Sequence, residues 1–168
     1  MGDYFVIFIT VGTTKYKFAR LINKGISLAR QYPKIKFVIQ SGTYIPPKNV
    51  SVNVVCKQYF SFPEIQDFLK RARLVICHAG IGTILQTNLY EKKPLVIPRV
   101  FKYGEHANDH ESAIAKFLYK KNLIFLETDV NKLEDYLNIK IESIKKLKET
   151  QFKKKLIANL RKYCNQSV

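Results

Sequence analysis

Acidic residues are scarce in this chain: 13 Asp and Glu stand against 29 Lys and Arg, a formal net charge of +16 over 168 residues. A surplus of that size favours polyanionic partners, whether nucleic acid, an anionic membrane surface or phosphorylated ligands, without choosing among them. Cysteine is also sparse. Cys56, Cys77 and Cys164 are an odd number with no C-x-x-C spacing, which argues against a disulfide framework and a zinc ribbon and fits a reducing cytoplasm. Cys56 and Cys77 lie in apolar runs and read as small core residues. Long hydrophobic runs are missing too. Tyr4 to Val11 is the longest near the N-terminus, with no basic region before it, far short of a bilayer span. The chain is therefore not expected to be membrane-embedded by its own sequence, although it could lie on a membrane. Internal repeats, low-complexity tracts and an interdomain linker are absent from the sequence. What is present, 46% hydrophobic and 25% charged residues, suits one folded domain and excludes disorder.

The hydrophobic pattern alternates between two kinds of segment. Tyr4 to Ile9 is continuous, β-branched and aromatic, and ends at Val11-Gly12-Thr13-Thr14; such a run predicts a strand buried on both faces. Phe18, Leu21, Ile22 and Ile26 recur at helical spacing, with Pro33 as a stop. Further strands are predicted at Ile35 to Ile39, Val50 to Val55, Leu74 to Cys77, Pro94 to Ile97 and Leu123 to Leu126. Helices are predicted after Pro63, from Thr83 to Glu91, and from Glu105 to Tyr119. Alternation of this kind implies an α/β fold, a Rossmann-like parallel sheet with right-handed crossovers and helices on both faces. We assign it to residues 1–138. Residues 139–168 carry Ile141, Ile144, Leu147, Phe152, Leu156, Leu160 and Tyr163 as an apolar stripe among nine Lys and Arg. This predicts a basic amphipathic helix, packed on its own domain, on a partner or at a membrane interface.

In an open parallel sheet, ligands bind beyond the carboxyl ends of the strands, where strand order reverses. Two glycine loops qualify: Gly12-Thr13-Thr14 and Gly80-Ile81-Gly82-Thr83. Glycine lets the backbone approach an anion, and the helix after the second loop offers free N–H groups and a positive dipole end. Thr83 can add a hydroxyl or cap that helix, and the loop taken alone is also compatible with plain turn chemistry. Neither a Walker A Lys-Ser/Thr pair nor the dinucleotide fingerprint after the first strand is present, which disfavours kinase-like and NAD chemistry.

A third segment, Tyr103-Gly-Glu-His-Ala-Asn-Asp-His-Glu111, follows the fifth predicted strand. His106 and His110 have the i,i+4 spacing of metal ligands, but no third ligand is evident, so no metal is expected. Glu105, Asp109 and Glu111 could instead favour a helix N-terminus. Asn108, Asp109 and His110 could serve the hydroxyls of a sugar, which must be re-paired when they leave water.

Taken together, Leu74 to Thr83, Lys93 to Pro98 and Tyr103 to His110 resemble the C-terminal domain of glycosyltransferase family 28. The likeness is greatest to the standalone subunits of two-part UDP-sugar transferases, of the dolichol-linked N-acetylglucosaminyl and bacterial exopolysaccharide types. It covers about residues 4–126, leaving the basic C-terminal helix outside. The resemblance implies the C-terminal half of a GT-B fold, a UDP-sugar donor, and neither cofactor nor metal. It implies diphosphate at Gly12, Thr13, Thr14, Gly80, Gly82 and Thr83, and uracil under Tyr59 to Phe62, with Phe60, Ser61 and Phe62 as nucleoside residues. Asn108, Asp109, His110 and Glu111 would face the donor sugar. His78, beside the phosphates, would serve either a structural role or the ligand. Gln86 stands where the family usually places a ribose-binding Glu, and Glu111 where many relatives carry Gln.

The expected activity is inverting transfer of N-acetylglucosamine or another hexose to a lipid-linked acceptor. Helix-end amides would stabilise the departing diphosphate, and a membrane-associated partner subunit would supply the acceptor site and general base. The chain would then sit at the cytoplasmic face of a membrane, held there through its partner. A basic nucleic-acid-binding domain and a non-catalytic nucleotide-sugar module are the rival readings. No nucleic-acid motif appears, and the aromatics lie mostly in apolar runs rather than among the lysines, so nucleic acid is not the expected partner.

Overall fold

The computed structural model describes residues 6–138; the predicted basic helix over 139–168 and Cys164 lie outside them. Five buried apolar positions, Ile7, Phe8, Ile9, Phe37 and Ile39, start the sheet. In chain order the elements are β1 (Val6–Thr10), α1 (Ala19–Gln31), β2 (Lys36–Gln40), β3 (Val54–Lys57), α2 (Phe62–Arg71) and β4 (Leu74–Cys77). There follow α3 (Ile81–Leu89), β5 (Leu95–Val96), α4 (His110–Lys120), β6 (Phe125–Leu126) and α5 (Leu133–Asn138). All pairings are parallel, in the order β3-β2-β1-β4-β5-β6.

Alternate residues of each strand serve opposite faces, as the two-residue period of a strand requires. Ile7 and Ile9 pack with Leu21, Ile22 and Leu28 of α1 and with Leu133 of α5. Phe8 packs with Leu69 of α2 and Val75 of β4 on the other face, where Val96 meets Ile84 of α3 and Leu118 of α4. Both faces are covered, which is why the strands read as unbroken apolar runs. Within α1, a Cβ on Gly25 would lie 2.5 Å from Ile9 Cδ1, so the bare glycine is what lets α1 lie close on β1.

Two predicted boundaries shift by four residues or more. The third strand begins at Val54 rather than Val50. Asn53 Nδ2 donates to the carbonyls of Ala29, Tyr32 and Ile35 at 2.9, 3.1 and 2.7 Å and holds the preceding residues in a turn, with Val52 fully exposed. The helix predicted from Glu105 begins at His110. Glu105 is buried and takes a bidentate bond from Arg20, Nε to Oε1 at 2.7 Å and Nη2 to Oε2 at 3.0 Å. Residues 104–109 are thereby held as a loop, preceded by the short 3-10 turn Phe101–Tyr103. The short α5 was not predicted from the sequence pattern.

Candidate functional site

Strand order places β1 beside β4, with β2 on one side and β5 on the other. This is the point where successive connections diverge and leave a crevice at the carboxyl ends of the strands. The two glycine loops, 66 or more residues apart in sequence, therefore meet. Between them lies a cavity of about 230 Å³. Phe8, Ile65 and Leu69 give it an apolar wall, Thr10, Thr13, Gln40, Thr83 and Gln86 supply polar groups, and Gly12 and Gly82 border it.

His78 holds the two loops at their spacing. It follows β4, is only 6% exposed, and bonds the main chain of Thr10. A Cβ added to Gly12 would lie 2.6 Å from its ring, and one added to Gly80 2.2 Å. Gly12 also has φ +69°, a left-handed conformation costly for any residue with a Cβ. Glycine at 12 and 80 is thus dictated by the imidazole between them. Burial, reinforced by the nearby Arg99 charge, pushes the His78 pKa down to about 4, so the ring is neutral at physiological pH. His78 does not line the cavity; it is the spacer behind it.

Gly82 behaves differently. A Cβ there would meet nothing within 4 Å, because the residue faces the open side of the loop. Gly80 is the N-cap of α3 and provides no side-chain cap, so Thr83 does not cap the helix. The first bond of the helix runs from Ile84 N to Gly80 O at 3.1 Å. The earlier amides of Ile81, Gly82 and Thr83 have no carbonyl one turn back, and they carry the positive end of the helix dipole. In the other loop, Gly12 N donates to Thr10 Oγ1 at 3.3 Å and Tyr16 N to Thr14 Oγ1 at 3.3 Å. Thr13 lines the cavity and Thr14 does not.

The expected nucleoside segment divides. Phe60 is buried and meets Phe68 edge-on with centroids 4.9 Å apart. Ser61 forms a capping box with Glu64 at the start of α2; the bonds from Ser61, with Lys57 beside it, hold the Glu64 pKa down to about 2. Phe62 and Tyr59 are exposed. Gln86, on α3, reaches the cavity. Gln40 was not foreseen. Nearly fully buried, it donates from Nε2 to Gly12 O at 3.3 Å and accepts Phe60 N on Oε1 at 3.4 Å, linking the phosphate-type loop to the aromatic segment.

Asn108 and Asp109 stand exposed on the loop after β5 and His110 exposed at the first position of α4, outside the cavity lining. Asp109 Oδ1 accepts Phe101 N at 2.9 Å and Asn108 Oδ1 accepts His110 N at 3.2 Å. Glu111 turns the other way. It is buried, accepts Arg99 N at 3.1 Å, and lies 3.9 Å from Arg99 Nε, so its carboxylate serves the core rather than the rim. The i,i+4 reading of His106 and His110 fails because His106 precedes α4 and stacks on Tyr16, centroids 5.5 Å apart. Among the described residues no group of three His, Cys, Asp or Glu could hold a metal ion. Arg99 was missed because a lone arginine reads as surface charge. It is fully buried, with Nη1 donating to Tyr16 O and Glu105 O at 2.9 and 3.0 Å.

A doubly wound parallel sheet with a cavity at its switch point has the architecture of the C-terminal half of a GT-B glycosyltransferase, and comparison with solved structures agrees on the fold. The glycosyltransferase of kitacinnamycin matches with a TM-score of 0.68 at 15% identity, over 92% of this chain and 39% of that one. SnogD from Streptomyces nogalater matches at 0.63 and 16%, over 92% and 40%. The chain belongs to the glycosyltransferase family 28 C-terminal domain family, whose model matches residues 6–163. Among its relatives are the UDP-N-acetylglucosamine transferase subunits ALG13 of Homo sapiens and Mus musculus. Both are 30% identical, over 71% and 70% of this chain and 11% and 10% of their own length. The chain thus spans about a tenth of the curated relatives it matches.

Proposed function

We propose that the chain is the donor-binding catalytic subunit of a two-part inverting glycosyltransferase, moving N-acetylglucosamine or another hexose from a UDP-sugar to a lipid-linked acceptor. The observation that carries this reading is the cavity where Gly12 and Thr13 face the unpaired first amides of α3. Backbone N–H groups and a helix dipole aimed at one small volume suit a diphosphate. They suit it better as a leaving group, because its negative charge grows in the transition state while the amides stay fixed. Gln86 supplies a neutral partner for ribose hydroxyls, and Asn108, Asp109 and His110 supply exposed groups for the sugar. The cradle answers the phosphate charge without a metal ion.

Inversion needs a base on the acceptor hydroxyl, on the face opposite the leaving group. The described residues form one Rossmann half, and the related proteins are named as subunits. We therefore assign the base and the acceptor site to a membrane-associated partner, which would hold the chain at the cytoplasmic face. Calorimetric titration with UDP, UDP-N-acetylglucosamine, UDP-glucose and GDP tests the donor half: UDP compounds bind and GDP binds weakly. Absence of UDP binding overturns the reading. Transfer of radiolabelled sugar to a lipid acceptor, appearing only on co-expression with a membrane partner, tests the rest.

A further inference from the structure

Outside the donor-cavity lining, two exposed segments carry side chains that the sugar chemistry does not use. In the 3-10 turn Phe101–Tyr103, Phe101 and Tyr103 are 57% and 58% exposed and flank an exposed Lys102. The loop after β1 adds exposed Lys15 and Lys17 on either side of Tyr16. The two segments are one surface. Arg99 bonds Tyr16 O and Glu105 O, Tyr16 stacks on His106, and Arg20 lies 5.5 Å from the Tyr103 ring. The acidic groups beside it are engaged within the protein: Glu105 is buried against Arg20, Asp109 has one oxygen held by Phe101 N, and Asp129, which borders Tyr103 and Arg20, has one held by Asn131 N.

We propose that this aromatic and lysine rim binds an anionic lipid bilayer directly. Exposed aromatics could equally suit a protein interface, but lysine is depleted there. Aromatic rings interleaved with lysines are instead the composition of the membrane-water boundary, where rings sit among headgroups and ammonium groups meet lipid phosphates. Lys102 Nζ lies over the Tyr103 ring, 4.9 Å from its centroid, and Lys15 Nζ over the Tyr16 ring at 5.5 Å. One lysine near an anionic surface is worth roughly fivefold in partitioning, so three give roughly a hundredfold at low salt. No helix among the described residues is long and apolar enough to cross a membrane, so the contact is peripheral. The lipid contact itself does not depend on the donor assignment.

The test is co-sedimentation of the full chain with phosphatidylcholine vesicles, with and without phosphatidylserine. Two variants are compared: Phe101→Ser with Tyr103→Ser, and Lys15→Glu with Lys17→Glu and Lys102→Glu. Wild type binds the anionic vesicles and not the neutral ones. The lysine variant loses at least tenfold and the aromatic variant at least threefold, and added salt weakens the wild type. Circular dichroism and UDP titration of the same samples report the fold and the donor site; where a variant is misfolded, Lys→Gln and Phe101→Thr with Tyr103→Thr replace it. If wild type fails to sediment, or either folded variant sediments like wild type, the proposal is overturned. Binding that appears only with a co-expressed protein overturns it too, since the rim is then a protein interface. Failure of UDP binding alone would sink the donor assignment and leave the lipid result standing.

Discussion

Arg99 Nη2 donates to the carbonyl of Val11 at 2.7 Å, joining positions 88 residues apart in the chain. With its bonds to Tyr16 O and Glu105 O, this guanidinium locks the loop after β5 onto the loop after β1. Burial lowers the Arg99 pKa, opposed by Glu111 and Glu105. The charge is retained because it is surrounded by acceptors rather than by water.

Replacing Arg99 with Met removes those donors and leaves Glu111 buried without its partner charge. Breaking one side of a buried pair costs about 3–5 kcal/mol, so Arg99→Met should lower the urea midpoint sharply. Adding Glu111→Gln removes the orphaned charge while keeping an acceptor for the Arg99 amide, and should restore part of the loss. An Arg99→Met protein as stable as wild type would show that the network is incidental.

His78 makes stability depend on pH in a defined window. Its pKa falls from an ordinary 6.5 to about 4 in the folded chain. Between those values the unfolded chain holds more protons, so stability rises with pH. The contribution is fully present above about pH 6.5 and fades as pH falls toward about 4, amounting to roughly 3 kcal/mol in all. In His78→Gln the slope of urea stability between pH 4.5 and 6.5 should flatten, as roughly expected when no imidazole titrates. A slope equal to that of wild type would assign the dependence to another group.

Gly80 and Gly82 are two residues apart and should fail differently. Ala at 80 would drive its Cβ to 2.2 Å from the buried His78 ring, and such overpacking costs about 1–3 kcal/mol. Val at 82 meets no protein atom within 4 Å at its Cβ and should fold with stability within about 1 kcal/mol of wild type. Its branched side chain would occupy the position proposed for the phosphates, and on that reading UDP affinity should fall at least tenfold by calorimetry. UDP binding in Gly82→Val equal to wild type would remove the diphosphate from this loop.

The sequence carried the sheet further than it carried the site's support. β1, β2 and β4 are buried on both faces, and a run of apolar residues signals that without reference to partners. β3 slid because Val50 and Val52 look like strand residues, while the Asn53 amide that makes the turn bonds carbonyls 18 to 24 residues earlier. Glycine loops were legible because glycine is informative locally. His78 was left between a structural and a ligand role, since only the fold brings its ring against both Gly12 and Gly80. Gln40 and Arg99 had no local signal: Gln40 acts through bonds to Gly12 and Phe60, and Arg99 reaches back to Val11 and Tyr16 as well as forward to Glu105.

Gln86 offers the sharpest test of how the nucleoside is held. It reaches the cavity from α3, one turn beyond Thr83, where the family resemblance expects a carboxylate for the ribose. An amide oxygen accepts from a hydroxyl without the help of charge, and charge-assisted bonds are roughly twice as strong. Gln86→Glu adds no bulk and should tighten UDP binding about fivefold, a gain of roughly 1 kcal/mol. Deoxyuridine diphosphate separates this from a general field effect. If the carboxylate grips the ribose 2′-hydroxyl, the variant gains for UDP and not for the deoxy compound. A negative charge acting only through repulsion of the diphosphate would weaken both ligands, and Gln86 would then belong to the cavity wall rather than to nucleoside recognition.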